Sequence, residues 1–198
     1  MKTILVVFGT RPEAIKLAPL IKELKRREGI RVLVAVSGQH REMLYPVLAA
    51  FGIEPDFDLS LFREGQGLSD LTAGVLLGIP EVFQACMPDL VLVQGDTVTA
   101  FACALAAFYH RLPVGHIEAG LRSGSLSSPF PEEFNRRAIS LLSRYHFAPT
   151  EDARGKLLAE GIDAGSVFVT GNTAIDALGL TVGDSFSHPI LDWVGGRR

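Results

Sequence analysis

The sequence predicts an α/β domain in which a parallel β-sheet carries helices on both faces. Short runs rich in β-branched residues alternate with longer segments of helical periodicity, which is typical of βαβ units. The predicted strands are almost continuously apolar, as expected for strands buried on both faces of a parallel sheet. Of the 198 residues, 47% are hydrophobic, which is enough for one domain with a substantial core.

Six strands are predicted from apolar runs bounded by turn-forming residues. They are ILVVF (4–8), RVLVAV (31–36), DLVLVQGD (89–96), VGHIEAG (114–120), YHFAPT (145–150) and VFVTG (167–171). In an open parallel sheet, ligands bind beyond the carboxyl ends of the strands. Because polar residues or glycine close every one of these strands, we expect a functional site along that edge.

Seven helices are predicted between and after these strands. They start at Pro12, span about 41–51, run from the 62–70 loop to near Met87, span 97–110, run from Pro131 to about Arg144, start after Thr150, and span 172–180. Proline suits the first position of a helix because its missing N–H is not needed there, and threonine is a good N-cap. The segment 97–110 is almost wholly apolar, which predicts an interior helix.

The composition excludes several classes of protein. With 19 basic and 22 acidic side chains, a formal net charge of −3 and no basic stripe, nucleic acid is not an expected partner. No apolar run is long enough to span a bilayer, and no signal peptide is recognisable. We therefore expect a cytoplasmic protein with no membrane partner. Cys86 and Cys103 lie in apolar helical patterns, which favours free core thiols.

The alternation of strand and helix is lost after Gly183. We assign a domain to residues 1–182 and interpret 183–198 as a linker toward further chain.

Charge concentrates in the segment GHIEAGLRSGSLSSPFPEEFNRR (115–137). Its glutamates and arginines are Glu118, Glu132, Glu133, Arg122, Arg136 and Arg137. Surface ion pairs, worth about 0 to 1 kcal/mol each, are one explanation. A site at a strand end is the other, and the pattern leaves both open. Because Glu118 lies in apolar strand context, where an unpaired charge is costly, it is a candidate general acid or base, whereas His116 is interpreted as a core histidine.

Glu132 and Glu133 fall in the first turn of the helix that follows Pro131, where acidic residues favour the helix dipole. Residues four apart share a helix face, so Glu132 aligns with Arg136 and Glu133 with Arg137. One pair can therefore face a site and the other solvent.

Two other strand ends carry candidate residues. Asp96 either caps the helix that follows it or presents a carboxylate at the sheet edge. Arg11 and Lys16 lie in GTRPEAIKLAPL (9–20), which lacks the spacing of a phosphate loop. A helix N-terminus beside a guanidinium can nevertheless hold an anion.

Six motifs together resemble the non-hydrolysing UDP-N-acetylglucosamine 2-epimerase family, in the family's order over residues 1 to about 180. They are GTRPEAIKLAPL, SGQHREML, GQGLSDLT, VLVQGDTVTAFACALAAFYHRLPVGHIEAGLRSG, SPFPEEFNRR and VTGNTAIDAL. The resemblance implies a Rossmann-like domain that forms the N-terminal half of a GT-B-type two-domain enzyme. It also implies a second domain that supplies the uridine contacts, most diphosphate contacts and a further catalytic histidine. We therefore expect this chain to be a fragment.

The resemblance implies reversible conversion of UDP-N-acetylglucosamine to UDP-N-acetylmannosamine, a precursor of cell-surface polysaccharides. UDP is eliminated to give 2-acetamidoglucal and then added back, with no redox cofactor and no metal. The elimination needs a base for the weakly acidic C2–H, and inversion needs a proton donor on the other face. The resemblance also implies a homodimer at full length. A hydrolysing relative that releases UDP and N-acetylmannosamine, or a non-catalytic nucleotide-sugar-binding module, remains an alternative.

Matched motif by motif, the resemblance assigns roles to six residues. The acidic catalytic positions match Asp96, Glu118 and Glu132, and the cationic substrate-binding positions match Arg11, Lys16 and Arg136.

In some members of that family a second UDP-N-acetylglucosamine acts as an allosteric activator. The residues involved match Gln39, His40 and Gln66. Activator-sensitive members carry an arginine just before the last of these, where this chain has Gly65.

Overall fold

The computed structural model describes residues 1–38 and 41–181, and within these ranges seven strands form one sheet. The strands are β1 (Lys2–Phe8), β2 (Ile30–Val36), β3 (Phe57–Asp58), β4 (Leu90–Gln94), β5 (Val114–Ile117), β6 (Tyr145–Ala148) and β7 (Val167–Val169). All neighbouring strands are parallel, in the order β3-β2-β1-β4-β5-β6-β7. The predicted parallel sheet is thus confirmed. The short β3 was not predicted because two residues carry no periodicity.

In the same ranges, seven α-helices follow the strands. They are α1 (Arg11–Lys25), α2 (Arg41–Phe51), α3 (Leu68–Cys86), α4 (Val98–Tyr109), α5 (Glu132–Leu142), α6 (Glu151–Ala159) and α7 (Thr173–Thr181). The side chain of Thr150 accepts a hydrogen bond from Ala153 N at 3.1 Å, which confirms it as the N-cap of α6. The linker predicted at 183–198 lies outside the described residues.

The two faces of the sheet bury alternate residues, as the two-residue repeat of a strand requires. In β1, Leu5 and Val7 pack with residues of α3 and α4 on one face. Val6 and Phe8 pack with residues of α1 and α2 on the other. Most of α4 is buried, which confirms the interior position predicted for it, and Cys86 and Cys103 are buried free thiols.

The order of strands reverses at β1, which lies between β2 and β4. The turn after β1 leads into α1, and the turn after β4 leads into α4. These two turns are therefore neighbours at the carboxyl edge of the sheet, where the fold class places ligand sites. Among the described residues, no helix has both the length and the apolar character that a membrane crossing needs.

Candidate active site

Glu118 occupies a turn rather than a strand. The predicted strand at 114–120 ends at Ile117, and Glu118 follows with φ of 63°. This left-handed conformation is uncommon for a residue with a side chain, and such backbone strain concentrates at functional sites. The strand stops there because a residue at positive φ cannot continue the extended backbone.

The carboxylate of Glu118 is held by two side chains from other elements. Lys16 Nζ lies 2.8 Å from Oε1 and 2.6 Å from Oε2, and Gln94 Nε2 also donates to Oε2. The side chain of Glu118 is only 13% exposed. The charge is therefore paired with Lys16, which offsets the cost of its burial.

Asp96 does not cap α4. Thr97 is the N-cap of α4, and its hydroxyl accepts a hydrogen bond from Ala100 N at 3.0 Å. The capping role considered for Asp96 is therefore wrong. Its carboxylate instead forms an ion pair with Arg136, and its backbone carbonyl accepts a hydrogen bond from Asn135 Nδ2 at 2.9 Å. Two successive residues of α5 thus hold both the side chain and the backbone of Asp96.

Three carboxylates lie within electrostatic reach of one another. Burial raises the pKa of Asp96, and the Arg136 guanidinium opposes this shift. The nearby carboxylates of Glu132 and Glu118 raise the pKa of Asp96 further. The structure therefore brings together the three acidic residues that the sequence singled out.

Some charged side chains of α5 contact the candidate site residues, and others form ion pairs that stabilise the fold. Arg136 pairs with Asp96 and, at 3.5 Å, with Glu133, instead of with Glu132 as expected. The predicted pair of Glu133 with Arg137 is confirmed, at 2.9 Å. Glu133 is fully buried and also accepts a hydrogen bond from Ser123 N at 2.9 Å. Glu133 therefore anchors the β5–α5 loop, while Arg136 serves the site.

Arg122 belongs to the framework of the fold. Its Nε and Nη2 donate to the two carboxylate oxygens of Glu160, at 2.8 and 2.7 Å, and Nη2 also reaches Ser140 Oγ at 3.1 Å. This bidentate pair ties the loop after β5 to α6. The surface ion pairs considered for this segment are therefore not what Arg122 and Glu133 form, because both side chains are largely buried and stabilise the fold.

The sequence model of the UDP-N-acetylglucosamine 2-epimerase family matches residues 22–192 of this chain. The chain belongs to this epimerase family. Among its relatives, UDP-N-acetylglucosamine 2-epimerase of Bacillus subtilis (strain 168) is 56% identical over 192 residues, which are 97% of this chain and 50% of the relative. The chain spans about half the length of the curated relatives it matches.

Two solved epimerases have closely similar structures. The epimerase from Neisseria meningitidis, bound to UDP-GlcNAc, has a TM-score of 0.88 and 53% identity over 90% of this chain and 48% of its own. The epimerase from Methanocaldococcus jannaschii, in complex with UDP-GlcNAc and UDP, has a TM-score of 0.83 and 38% identity over 88% and 48%. The fold is that of the N-terminal half of a two-domain, Rossmann-like GT-B enzyme, as the sequence predicted.

The remaining residues suggested by the epimerase motifs lie in different surroundings. Arg11 is exposed at the first position of α1, on the same edge of the sheet as Asp96. The side-chain oxygen of Gln66 accepts a hydrogen bond from Arg63 N at 3.1 Å, so it closes a turn within its own loop. Gln39 and His40 lie outside the described residues.

His116 is a core residue, as interpreted from the sequence. It is fully buried, its Nε2 lies 2.7 Å from the carbonyl oxygen of Gly95, and burial lowers its pKa to about 3. His116 is therefore neutral, and its Nε2–H donates to the peptide that precedes Asp96.

Sequence reasoning missed the neutral side chains that hold the carboxylates of the candidate site. Gln94 and Asn135 orient Glu118 and Asp96, yet an isolated amide in an apolar strand or helix gives no specific signal. Sequence reasoning also missed Glu13, although the spacing of Thr10 and Glu13 is that of a capping box and could have identified it.

In the described part of the chain, no group of three or more His, Cys, Asp or Glu side chains is placed to hold a metal ion.

Proposed function

We propose that the full-length protein that contains this chain interconverts UDP-N-acetylglucosamine and UDP-N-acetylmannosamine. The reaction eliminates UDP to form 2-acetamidoglucal and adds UDP back with the opposite configuration at C2. The observation that carries this proposal is the convergence of Asp96, Glu118 and Glu132 at one edge of the sheet, with Lys16 and Arg136 as their cations. Membership of the epimerase family and the UDP-GlcNAc bound by its solved members support it.

Two separately held carboxylates suit a reaction that works on both faces of one sugar carbon. Glu118 is held from α1 and β4, and Asp96 from α5. The reaction is reversible, so each acid–base group must accept a proton in one direction and release it in the other. A pKa near the working pH favours both steps. Burial moves the pKa of Asp96 in that direction.

Arg11 has a different role from Lys16 and Arg136. Arg11 is exposed at the N-terminus of α1, where backbone N–H groups and a guanidinium can hold the departing diphosphate together. Lys16 is already committed to Glu118 and Arg136 to Asp96, so these two position carboxylates beside the sugar.

Nuclear magnetic resonance of UDP-N-acetylglucosamine in D₂O with the full-length protein tests this proposal. The expected product is UDP-N-acetylmannosamine with deuterium at C2, because the proton removed exchanges with solvent before the return step. Oxygen-18 placed in the bridge between C1 and the β-phosphorus should also move into the nonbridging positions of the β-phosphate, because the C1–O bond breaks. Free UDP with free N-acetylmannosamine would establish the hydrolysing alternative, and no conversion would favour a binding module.

We further propose that the full-length protein is a homodimer that uses the outer face of α3, α4 and α5. These three helices lie side by side, with α4 in the middle. Leu77, Phe108 and Leu141 project from them and are each more than half exposed. Exposed apolar side chains on neighbouring helices favour an interface between subunits.

A further inference from the structure

Glu13 is a buried carboxylate that links two turns of the site. It is 1% exposed. Its Oε2 accepts hydrogen bonds from Gly9 N (3.1 Å), Thr10 N (2.9 Å) and Thr10 Oγ1 (2.7 Å), all within the turn that starts α1. Its Oε1 accepts a fourth from Thr97 Oγ1 at 2.8 Å, which lies 84 residues further along the chain. Of these four hydrogen bonds, the one from Thr97 connects Glu13 to a residue outside the α1 turn.

The direction of the bond from Thr97 is fixed. The Thr97 hydroxyl already accepts a hydrogen bond from Ala100 N as the N-cap of α4. Its single proton is therefore available for Glu13, so Thr97 donates and Glu13 accepts. Thr97 directly follows Asp96, and the bond ties the Asp96 turn to α1.

The link joins the two halves of the proposed site. One turn of α1 beyond Glu13 lies Lys16, which holds Glu118. On the other side, Thr97 carries Asp96, which pairs with Arg136. The distance between the two carboxylate units therefore depends on how α1 sits against the N-terminus of α4.

The junction around this link is tightly packed. A side chain at Gly9 would come within 2.2 Å of Ser37 Oγ and 2.6 Å of Thr99 Oγ1. The hydroxyls of Ser37 and Thr99 lie 3.0 Å apart, which joins the end of β2 to the first turn of α4. The ends of β1 and β2 and the start of α4 are thus in close contact around this link.

We propose that Glu13 is a positioning residue, which acts through Thr97 to set Asp96 at its working distance from Glu118. This inference rests on the proposed epimerase function. The residue type fits the place, because four donors point at Glu13 and none of the ion pairs within the described residues involves it. Burial raises the pKa of Glu13, and the four hydrogen bonds and the positive ends of α1 and α4 oppose this shift only in part.

The decisive variant is Thr97→Val in the full-length protein, because Glu13→Gln would replace one accepting oxygen by an amide N–H, which would face either Thr97 Oγ1 or the three donors at Oε2 and could prevent folding. Valine keeps the shape of threonine and removes the hydroxyl. We expect kcat for epimerisation to fall about 10- to 100-fold, the effect of a small misplacement of catalytic groups, with KM within about twofold of wild type. Thr97→Ser keeps the hydroxyl and should restore kcat to within about threefold.

Thr150→Val is the matched control for the loss of a helix cap. Thr150 caps α6 as Thr97 caps α4, and it accepts an equivalent hydrogen bond, from Ala153 N at 3.1 Å. Thr97→Val should lower the melting temperature more than Thr150→Val does, because it also leaves the buried Glu13 Oε1 without its donor, and only Thr97→Val should lower kcat. Where Glu13→Gln folds, adding Thr97→Val to it should slow the enzyme no further, because both changes break one link.

The outcomes separate this inference from the proposed function. A wild-type protein that does not epimerise refutes the function and the positioning role with it. An active wild type whose Thr97→Val variant keeps the kcat of Thr150→Val refutes the positioning role alone. A Thr97→Ser variant as slow as Thr97→Val also refutes it, since the methyl group rather than the hydroxyl would then be responsible.

Discussion

Lys16 Nζ donates to both carboxylate oxygens of Glu118, at 2.8 and 2.6 Å, across 102 residues of sequence. The two residues come from α1 and from the turn after β5, which reach the same edge of the sheet because β4 alone separates β1 from β5. The pair keeps a largely buried carboxylate in place on a left-handed residue. It makes Glu118 the best-supported acidic residue of the proposed site.

Glu118→Gln in the full-length protein should lower kcat at least about 100-fold, the effect of losing a general acid or base. Glutamine keeps the volume and can still accept from Lys16 through one oxygen, so the protein should fold, with a lower melting temperature because the ion pair is lost. Glu160→Gln is the control, since Glu160 pairs with Arg122 in the framework. Near-normal turnover in the Glu118 variant would indicate that this residue has only a structural role.

Asp96→Asn should change how stability depends on pH. Burial raises the pKa of Asp96, so the folded protein holds this proton more tightly than the unfolded chain does. Stability from this group is therefore greatest below the ordinary pKa of about 3.8. It falls as pH rises toward the raised pKa, by at most about 1.4 kcal/mol per unit. The melting temperature of the asparagine variant, relative to wild type, should accordingly rise over this range.

Asp89→Asn provides a control of opposite sign. The hydrogen bond from Lys2 lowers the pKa of Asp89, so its ionised form stabilises the fold at higher pH. The relative melting temperature of this variant should fall as pH rises. Parallel pH profiles for the two variants would contradict the assignment for Asp96.

Glu133→Gln should destabilise the fold. The buried carboxylate accepts from Ser123 N and Arg137 Nε, and these contacts outweigh burial and lower the pKa of Glu133. We expect a loss of about 1–3 kcal/mol at neutral pH by denaturant unfolding, which shrinks as pH falls through the lowered pKa. Glu151→Gln, at an exposed pair with Arg154, should change stability by less than about 0.5 kcal/mol. Equal effects of the two changes would argue against an anchoring role for Glu133.

Leu141→Glu should dissociate the proposed homodimer. The substitution places a charge on the exposed apolar face of α5, where burial against a second subunit would be costly. Light scattering of the full-length protein should show the mass of a dimer for wild type and of a monomer for the variant. Ile175→Glu, on the similarly exposed surface of α7, is the control and should remain dimeric. A monomeric wild type would refute the proposal directly.

The 198-residue chain by itself should unfold cooperatively with heat yet show no epimerase turnover. Its strand and helix alternation closes a core on both faces of the sheet. Without a facing domain, the site edge remains open to water, which screens Asp96, Glu118 and their cations. A sensitive assay should find no isomer above background. Turnover that is lost in the Asp96→Asn variant of this chain would show that half of the site is sufficient.

Local patterns in the sequence were enough to predict the parallel sheet, the interior position of α4 and the cap at Thr150. The reason is that strand and helix periodicity, apolar runs and capping preferences act over fewer than about ten residues. The same patterns marked Asp96 and Glu118 as candidates, whereas the choice of Glu132 over Glu133 came from the resemblance to the epimerase family.

The tertiary structure alone decided what each charge does. Sequence spacing aligned Glu132 with Arg136, but Arg136 pairs with Asp96. Local sequence also left open whether Asp96 caps α4 or presents a carboxylate at the sheet edge, and the structure shows that Thr97 is the cap. Glu118 contacts Lys16 because β4 alone lies between β1 and β5, and Glu13 contacts Thr97 because β1 and β4 are neighbours in the sheet. Strand order depends on long-range packing of the whole chain, so no local periodicity encodes these partners.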